Sequence, residues 1–201
     1  GLGIALDFAE LNYIASNAFN YLQNAPLASS ADQAKFLFAI ARLADSSVDM
    51  AAGQINQNRS RLPQDVMRYA YRIVAYKAAN SVMQNGFNAQ SVGWFDQSYG
   101  YPFSDEEAES YGRQAIRFGQ WNAVLRAVDS MSLPLQQERM WQYWFARASE
   151  QRGGDPGTQA QGKAAARAFY TNLALEDDYY GLLARDRLGQ SLTKLGTSYS
   201  P

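Results

Sequence analysis

Residues 140–153 read MWQYWFARASEQRG and place four aromatic side chains within five consecutive positions. On a helical wheel of about 100° per residue, one broad face carries Trp141, Trp144, Phe145 and Ala148. Tyr143 and Ala146 point away from that face. A helix that is apolar on two sides needs a packing partner on each side, as in stacked helical arrays. The stretch therefore predicts a core helix between two neighbours, and it disfavours a ligand-binding role for these aromatic residues.

Glycines mark the ends of three helical stretches that follow one another along the chain. These are Gly119, Gly153 and Gly189, at separations of 34 and 36 residues. A period near 34 residues is typical of tetratricopeptide-like repeats, whose helical hairpins pack on each other and build a superhelix. In the last repeat, the Gly-rich stretch 154–162 predicts a flexible loop before a helix at 163–173. The predicted fold is all-α: a right-handed superhelix (solenoid) of stacked, tetratricopeptide-like helical hairpins.

Helical periodicity also dominates the first half of the chain. The apolar spacing predicts helices at 6–22, 34–43, 48–55 and 66–82. The Asn85-Gly86 pair suits a C-terminal helix cap, and the pattern then weakens until Ser104, which fits a capping box with Glu107. We therefore expect one α-superhelical scaffold over residues 1–201. Its predicted parts are N-terminal helices at 1–84, an irregular connection at 85–103 and helical hairpin repeats at 104–195.

Composition excludes several kinds of chemistry. The 201 residues include no cysteine and no histidine, which rules out disulfides, Cys/His zinc sites, thiol catalysis and Ser-His-Asp systems. A formal charge of −1 disfavours a nonspecific pull toward nucleic acid. No stretch reaches the roughly 18 apolar residues that a membrane span needs. We expect no cofactor, no metal, no nucleic-acid partner and no transmembrane segment.

Two groups of residues are candidates for contact with a glycan or another partner, although both also suit a structural role. Arginine outnumbers lysine fourteen to four, and the planar guanidinium group suits stacking and bidentate carboxylate contacts. The clustered arginines are Arg59, Arg61, Arg68 and Arg72. The aromatic candidates in the irregular stretch are Trp94, Tyr99 and Tyr101.

The segments RQAIRFGQWNAVLRAVDSM (113–131), WQYWFARA (141–148) and YYGLLARDRLG (179–189) together resemble the α-superhelical region of soluble lytic transglycosylases. The positions that carry the resemblance most clearly are Trp121, Trp141, Tyr143, Trp144, Arg147, Tyr180, Gly181 and Gly189. The resemblance covers residues 104–190, and residues 4–84 agree with it in helical pattern. The sequence departs from the family in its Gly-rich insertion at 153–162, and at Ser149, where a larger apolar residue is expected.

The resemblance implies a reaction on bacterial peptidoglycan. Such enzymes cleave the β-1,4 bond between N-acetylmuramic acid and N-acetylglucosamine without water and leave 1,6-anhydro ends, using one glutamate as acid and then base. The family's catalytic segment is a Glu-Ser pair followed by Gly-Leu-Met-Gln. Here the only Glu-Ser pair is Glu109-Ser110, and no Gly-Leu-Met-Gln occurs. Because Glu109 falls within a capped helix, we interpret it as a solvated helix residue and expect no catalytic residue in this chain.

These observations predict a helical scaffold that lacks the lysozyme-like catalytic domain of the family, positions that domain and contacts glycan strands. The implied partners are peptidoglycan, the C-terminal catalytic domain of the same protein and other cell-wall enzymes. The implied location is the periplasm, with outer-membrane association left open. Two alternatives remain: a tetratricopeptide-like adaptor that binds a protein segment, and a non-catalytic glycan-binding module.

Overall fold

A computed structural model describes residues 7–81 and 88–190 of the chain. The described residues fall into two compact units, one within Gly1–Pro102 and the other within Phe103–Pro201. In the first unit the helices are α1 (Phe8–Ser16), α2 (Ala18–Gln23), α3 (Ser30–Ser46), α4 (Val48–Asn58), α5 (Gln64–Asn80) and α6 (Gln90–Ser98). In the second they are α7 (Asp105–Arg117), α8 (Trp121–Asp129), α9 (Leu133–Gln136), α10 (Arg139–Glu150), α11 (Pro156–Leu173) and α12 (Tyr179–Arg187). The described residues contain helices and no strand, so the predicted all-α fold is confirmed.

The first unit is built around α3, which packs against α1, α2, α4 and α5. A capping box starts α3, because Ser29 accepts a hydrogen bond from the Asp32 backbone N–H and the Asp32 side chain accepts one from the Ser29 backbone. Fully buried apolar side chains from several helices share one core: Ile14, Leu22, Phe36, Ile40, Ile55 and Val74. This core fixes the positions of α4 and α5, and α6 packs on α5.

Helix α6 corrects the prediction of an irregular connection at 85–103. Ser91, Val92 and Phe95 are buried on one side of α6, and the Asn88 side chain accepts a hydrogen bond of 2.8 Å from the Gln90 backbone N–H. Ser98 is buried as well, so two of the four buried residues of α6 are serines. The apolar pattern is therefore weak in the sequence, yet packing on α5 stabilises the segment as a helix. The predicted cap at Asn85-Gly86 lies outside the described residues.

The second unit is a series of helices in which α7 packs on α8, α8 on α10, α10 on α11, and α11 on α12. The predicted capping box at Ser104 and Glu107 starts α7. Helix α7 ends in a Schellman motif at Gly119, which has a φ of 63°, and α12 ends in the same way at Gly189, with a φ of 69°. Helix α10 ends at Glu150, so Gly153 lies beyond the helix rather than forming its cap.

The Gly-rich stretch 154–162 is also mostly helical, which corrects the predicted flexible loop. Asp155 caps the start of α11, because its carboxylate accepts hydrogen bonds from the backbone N–H groups of Gly157 (2.9 Å) and Thr158 (3.1 Å). Pro156 occupies the first helical turn, where its missing N–H carries no penalty. These two start signals outweigh the low helix propensity of the glycines, so α11 begins seven residues before the predicted Lys163.

The prediction for residues 140–153 is confirmed: α10 is apolar on two sides and has a neighbour on each. Trp141 is fully buried, and its ring lies against Gly112 of α7. On the other side, Tyr143 and Ala146 share a core with α11 residues such as Tyr170. None of the described helices is both long enough and apolar enough to cross a membrane.

Candidate functional site

A polar cleft in the first unit lies among α4, α5 and α6. Its volume is about 340 Å³, near the lower end of the roughly 300–1,000 Å³ that is usual for small-molecule sites. The residues that line it are Asn56, Arg59, Tyr71, Gln90, Gly93, Trp94 and Gln97. Two of these, Arg59 and Trp94, are among the contact residues predicted from the sequence.

Helix α6 supplies one wall of the cleft. Gln90, Trp94 and Gln97 are spaced by four and three residues, which places them on one side of a helix. Trp94 is partly exposed and packs partly against the core of the first unit. Gly93 stands beside it, and a Cβ at that position would meet nothing within 4 Å. The wall therefore combines an aromatic ring, two amide side chains and open space.

Helices α4 and α5 supply the opposite wall through Asn56 and Tyr71. The Tyr71 hydroxyl donates a hydrogen bond of 2.6 Å to Oδ1 of Asn56, although the Tyr71 residue is only 2% exposed. Burial raises the pKa of the Tyr71 hydroxyl, and the nearby charge of Arg59 offsets this only in part. The phenol therefore keeps its proton and holds the Asn56 amide with its NH₂ group free to donate.

Arg59 gives the cleft its charge. It is the C-cap residue of α4 and is exposed to solvent. Among the described residues that line the cleft, it is the charged one, and no carboxylate joins it there. An arginine keeps its charge at any physiological pH, so the cleft favours a ligand that carries a negative group.

The other predicted arginines serve the fold. Arg61 donates hydrogen bonds of 2.9 Å to Oδ1 of Asn58 and to the Ala25 carbonyl. Arg68 lies against Gly100, within 3.2–3.4 Å of where a Cβ on that glycine would be, and is 3.8 Å from Asp65. Arg61 thereby links the segment after α4 to Ala25, and Arg68 links α5 to Gly100.

Arg72 is a clear correction, because it is 1% exposed and closed off from ligands. Its guanidinium donates hydrogen bonds of 3.0 Å to the carbonyls of Tyr101 and Pro102 and of 3.1 Å to the Ser98 hydroxyl. Tyr101 lies over this guanidinium at 5.9 Å, and its ring is 5.5 Å from that of Tyr69. Arg72 and Tyr101 thus fix the segment after α6. Tyr99, at the end of α6, is exposed but does not line the cleft.

The motif residues of the second unit form packing contacts around α10. The Tyr143 ring is 5.4 Å from Trp144, 6.0 Å from Tyr170 and 5.8 Å from Tyr180. The Arg147 guanidinium lies 5.8 Å above the Trp121 ring, a cation–π contact. These residues therefore hold neighbouring helices together.

Small residues allow the closest approaches in the second unit. A Cβ at Gly181 would lie 2.0 Å from the Glu176 carbonyl oxygen, and one at Gly162 would lie 2.3 Å from the Ser149 carbonyl oxygen. Ser149 is 6% exposed. The contact with its backbone carbonyl oxygen accounts for the glycine at 162 within the insertion, and nothing in the structure explains the small side chain at 149.

Carboxylates in the second unit have structural partners. Glu109 accepts a hydrogen bond of 2.9 Å from Arg113 on the helix surface, in agreement with its interpretation as a helix residue. The Asp178 side chain caps α12 by accepting from the Gly181 N–H at 2.7 Å, and it pairs with Arg139. Over the described ranges, no cluster of three or more His, Cys, Asp or Glu could hold a metal ion.

Sequence reasoning missed most of the cleft. The residues it did not single out are Asn56, Tyr71, Gln90, Gly93 and Gln97. The spacing of Gln90, Trp94 and Gln97 is a usable signal once residues 90–98 are recognised as a helix. No local sequence pattern indicates that α4 and α6 lie next to each other in the fold.

The fold is similar to that of helical parts of solved lytic transglycosylases, so the fold expected from the sequence resemblance is confirmed. A lytic transglycosylase Slt from Pseudomonas aeruginosa, in an inactive mutant form, matches with a TM-score of 0.60 and 20% identity, over 90% of this chain and 28% of that one. The 70-kDa soluble lytic transglycosylase of Escherichia coli matches with a TM-score of 0.54 and 18% identity, over 96% and 29%.

A third structure, the 70-kDa soluble lytic transglycosylase in complex with bulgecin A, matches with a TM-score of 0.54 and 17% identity, over 96% and 29%. This chain therefore spans less than a third of the length of the solved structures it matches. No protein-family model matches the sequence. No curated protein matches it either.

Proposed function

We propose that this chain is a helical scaffold of a protein that acts on peptidoglycan in the manner of soluble lytic transglycosylases, and that it carries no bond-cleaving site itself. The observation that carries the proposal is the fold match over 90–96% of the chain to enzymes of that class. The matched region makes up only 28–29% of the length of those enzymes. This fraction supports a role as one part of a larger protein.

The state of the acidic side chains supports a non-catalytic role. Acid catalysis on a glycosidic bond needs a carboxyl whose pKa is raised by an apolar cleft. Among the described carboxyls with a perturbed pKa, those that accept a side-chain hydrogen bond on the surface have a lowered pKa: Asp32, Asp105, Asp155 and Asp178. Such groups stay ionised and cannot act as general acids near neutral pH.

Glu150 is the most enclosed of these perturbed carboxyls, and it follows the same trend. Burial by itself raises the pKa of Glu150, but the hydrogen bond and charge of Arg187 oppose this, and Tyr170 and Arg147 add to the opposition. The net pKa is lowered. Since Arg187 of α12 donates to it at 2.6 Å and the Tyr170 hydroxyl of α11 at 3.1 Å, Glu150 of α10 joins three helices as a structural anion.

In this proposal the scaffold works in the periplasm, with outer-membrane association left open, and holds a lysozyme-like catalytic domain of the same protein against glycan strands. Its partners are peptidoglycan, that domain and other cell-wall enzymes. Helical arrays suit this role because their extended surfaces form large contacts with little chain rearrangement.

The test uses the purified 201-residue chain and isolated peptidoglycan sacculi. We expect the chain to sediment with sacculi, or to bind a separately produced lysozyme-like catalytic domain, while releasing no soluble muropeptides. Release of 1,6-anhydro muropeptides by the chain alone would overturn the non-catalytic assignment. Absence of binding to both sacculi and catalytic domain would overturn the scaffold role.

A further inference from the structure

We infer that the cleft among α4, α5 and α6 is a binding site for a single saccharide unit that carries a carboxylate. The inference deepens the proposed function and rests on it for the choice of a cell-wall sugar as the probe. Its physical basis is the set of groups that the cleft brings together, each of which matches a different part of such a ligand.

Trp94 supplies the apolar surface. It is partly exposed, lines the cleft, and is held in place by its packing against the core of the first unit. A sugar ring presents flat C–H faces, and a fixed indole binds such a face at little cost in conformational entropy. The missing side chain at Gly93 leaves the space beside the indole open.

Amide groups surround this surface. Gln90 and Gln97 stand one turn before and after Trp94, and Asn56 faces them from α4. An amide both donates and accepts hydrogen bonds, as do the hydroxyl and N-acetyl groups of an amino sugar. The Tyr71 hydroxyl already donates to Oδ1 of Asn56 at 2.6 Å, so the Asn56 NH₂ remains as a donor for a ligand.

Arg59 supplies the charge that selects an acidic sugar. The guanidinium group binds carboxylates in a planar, bidentate geometry, and none of the described residues that line the cleft is acidic. A volume of about 340 Å³ is large enough to hold one sugar unit. The cleft therefore distinguishes a sugar with a carboxylate from the same sugar without one.

The experiment titrates the ¹⁵N-labelled 201-residue chain with N-acetylmuramic acid and, separately, with N-acetylglucosamine, which lacks the lactyl carboxylate. We expect N-acetylmuramic acid to shift the amide signals of Gln90, Gly93 and Gln97. Its affinity should exceed that of N-acetylglucosamine by about tenfold or more, because a hydrogen bond to a charged group is the stronger kind.

Two variants test the assignment of residues. Arg59→Gln should abolish the preference for N-acetylmuramic acid, whereas Arg167→Gln, which removes the same charge from an exposed position on α11, should leave it unchanged. Gly93→Gln should fill the cleft and weaken binding of both sugars by about tenfold or more. Since glycine is unfavourable inside a helix, Gly93→Gln should also unfold at a higher temperature, which separates blocked binding from misfolding.

Three results would overturn the inference: equal binding of the two sugars, binding with shifts outside the cleft, or equally strong binding of N-acetylglutamate, which would show recognition of a carboxylate alone. Failure here is distinguishable from failure of the proposed function. If the unchanged chain sediments with sacculi but binds neither sugar, the scaffold role stands and the cleft assignment falls.

Discussion

The indole ring of Trp141 occupies the space that a side chain at Gly112 would need. A Cβ at Gly112 would lie 2.6 Å from Cζ3 and 2.8 Å from Cη2 of Trp141. Because Trp141 is fully buried, its ring has no free volume to move into. We therefore expect Gly112→Ala to lower the free energy of unfolding by about 1–3 kcal/mol, the usual cost of overpacking, in urea denaturation followed by circular dichroism.

The matched control is Gly53→Ala in α4. A Cβ at Gly53 would meet nothing within 4 Å, so only the gain in helix propensity remains. This variant should raise the free energy of unfolding by about 0.5–1 kcal/mol. Equal stabilisation by both substitutions would show that Trp141 does not restrict position 112.

The contact between α10 and α11 gives a second prediction. A Cβ at Gly162 would lie 2.3 Å from the carbonyl oxygen of Ser149, a backbone atom that cannot rotate away. We expect Gly162→Ala to force the two helices apart and to cost about 1–3 kcal/mol. Thermal unfolding would measure the loss, and an unchanged or higher midpoint would contradict the close approach.

A third prediction concerns the buried guanidinium of Arg72. Arg72→Lys keeps the charge but cannot reach the carbonyls of Tyr101 and Pro102 and the Ser98 hydroxyl together. Each buried group left without a partner costs about 1–3 kcal/mol, so we expect a loss of at least that size in urea denaturation. Arg59→Lys is the control, since exposed Arg59 should change stability by only about 0.5 kcal/mol. Similar small losses of stability for both variants would show that the hydrogen bonds of the Arg72 guanidinium do not hold the segment after α6 in place.

The stability at high pH depends on Tyr170. Burial, together with the charge and hydrogen bond of Glu150, raises the pKa of its hydroxyl from 10.0 to about 12. The unfolded chain therefore releases this proton first, and the free energy of unfolding falls as pH rises from about 10 toward about 12. Below pH 10 this contribution is fully present.

Tyr170→Phe tests this linkage. The variant loses the hydrogen bond of 3.1 Å to Glu150 and should be less stable at neutral pH by about 1 kcal/mol. Its stability should fall less steeply between about pH 10 and pH 12 than that of the unchanged protein. Urea midpoints measured across that range provide the comparison, and parallel pH profiles would count against the role of Tyr170.

Much of the fold could be predicted because helices leave a local imprint on the sequence. The two apolar sides of α10 and the capping box at Ser104 follow from spacings of three and four residues, and both are present in the structure. Helix α6 is not predicted because two of its four buried residues are serines, which leaves only Val92 and Phe95 as an apolar signal. The start of α11 is not predicted, because the low helix propensity of its glycines obscures the N-cap at Asp155.

The site was less predictable, since it depends on convergence of distant segments. Arg59 and Trp94 were predicted separately, 35 positions apart in the sequence, and only the packing of α6 on α5 brings them to one cleft. Arg72 belongs to the same sequence cluster as Arg59, yet it is buried. No property of an arginine in the sequence shows whether its guanidinium meets solvent or backbone carbonyls.

Because α10 packs against α8 on one side and α11 on the other, its amide hydrogens should exchange with deuterium only when the second unit unfolds as a whole. Helix α12, the last of the described helices, packs on α11 and α10, and we expect it to open at a smaller cost than α10. Exchange rates should therefore be higher in α12 than in α10. Helix α10 thus determines how cooperatively the second unit unfolds, in addition to how stable that unit is.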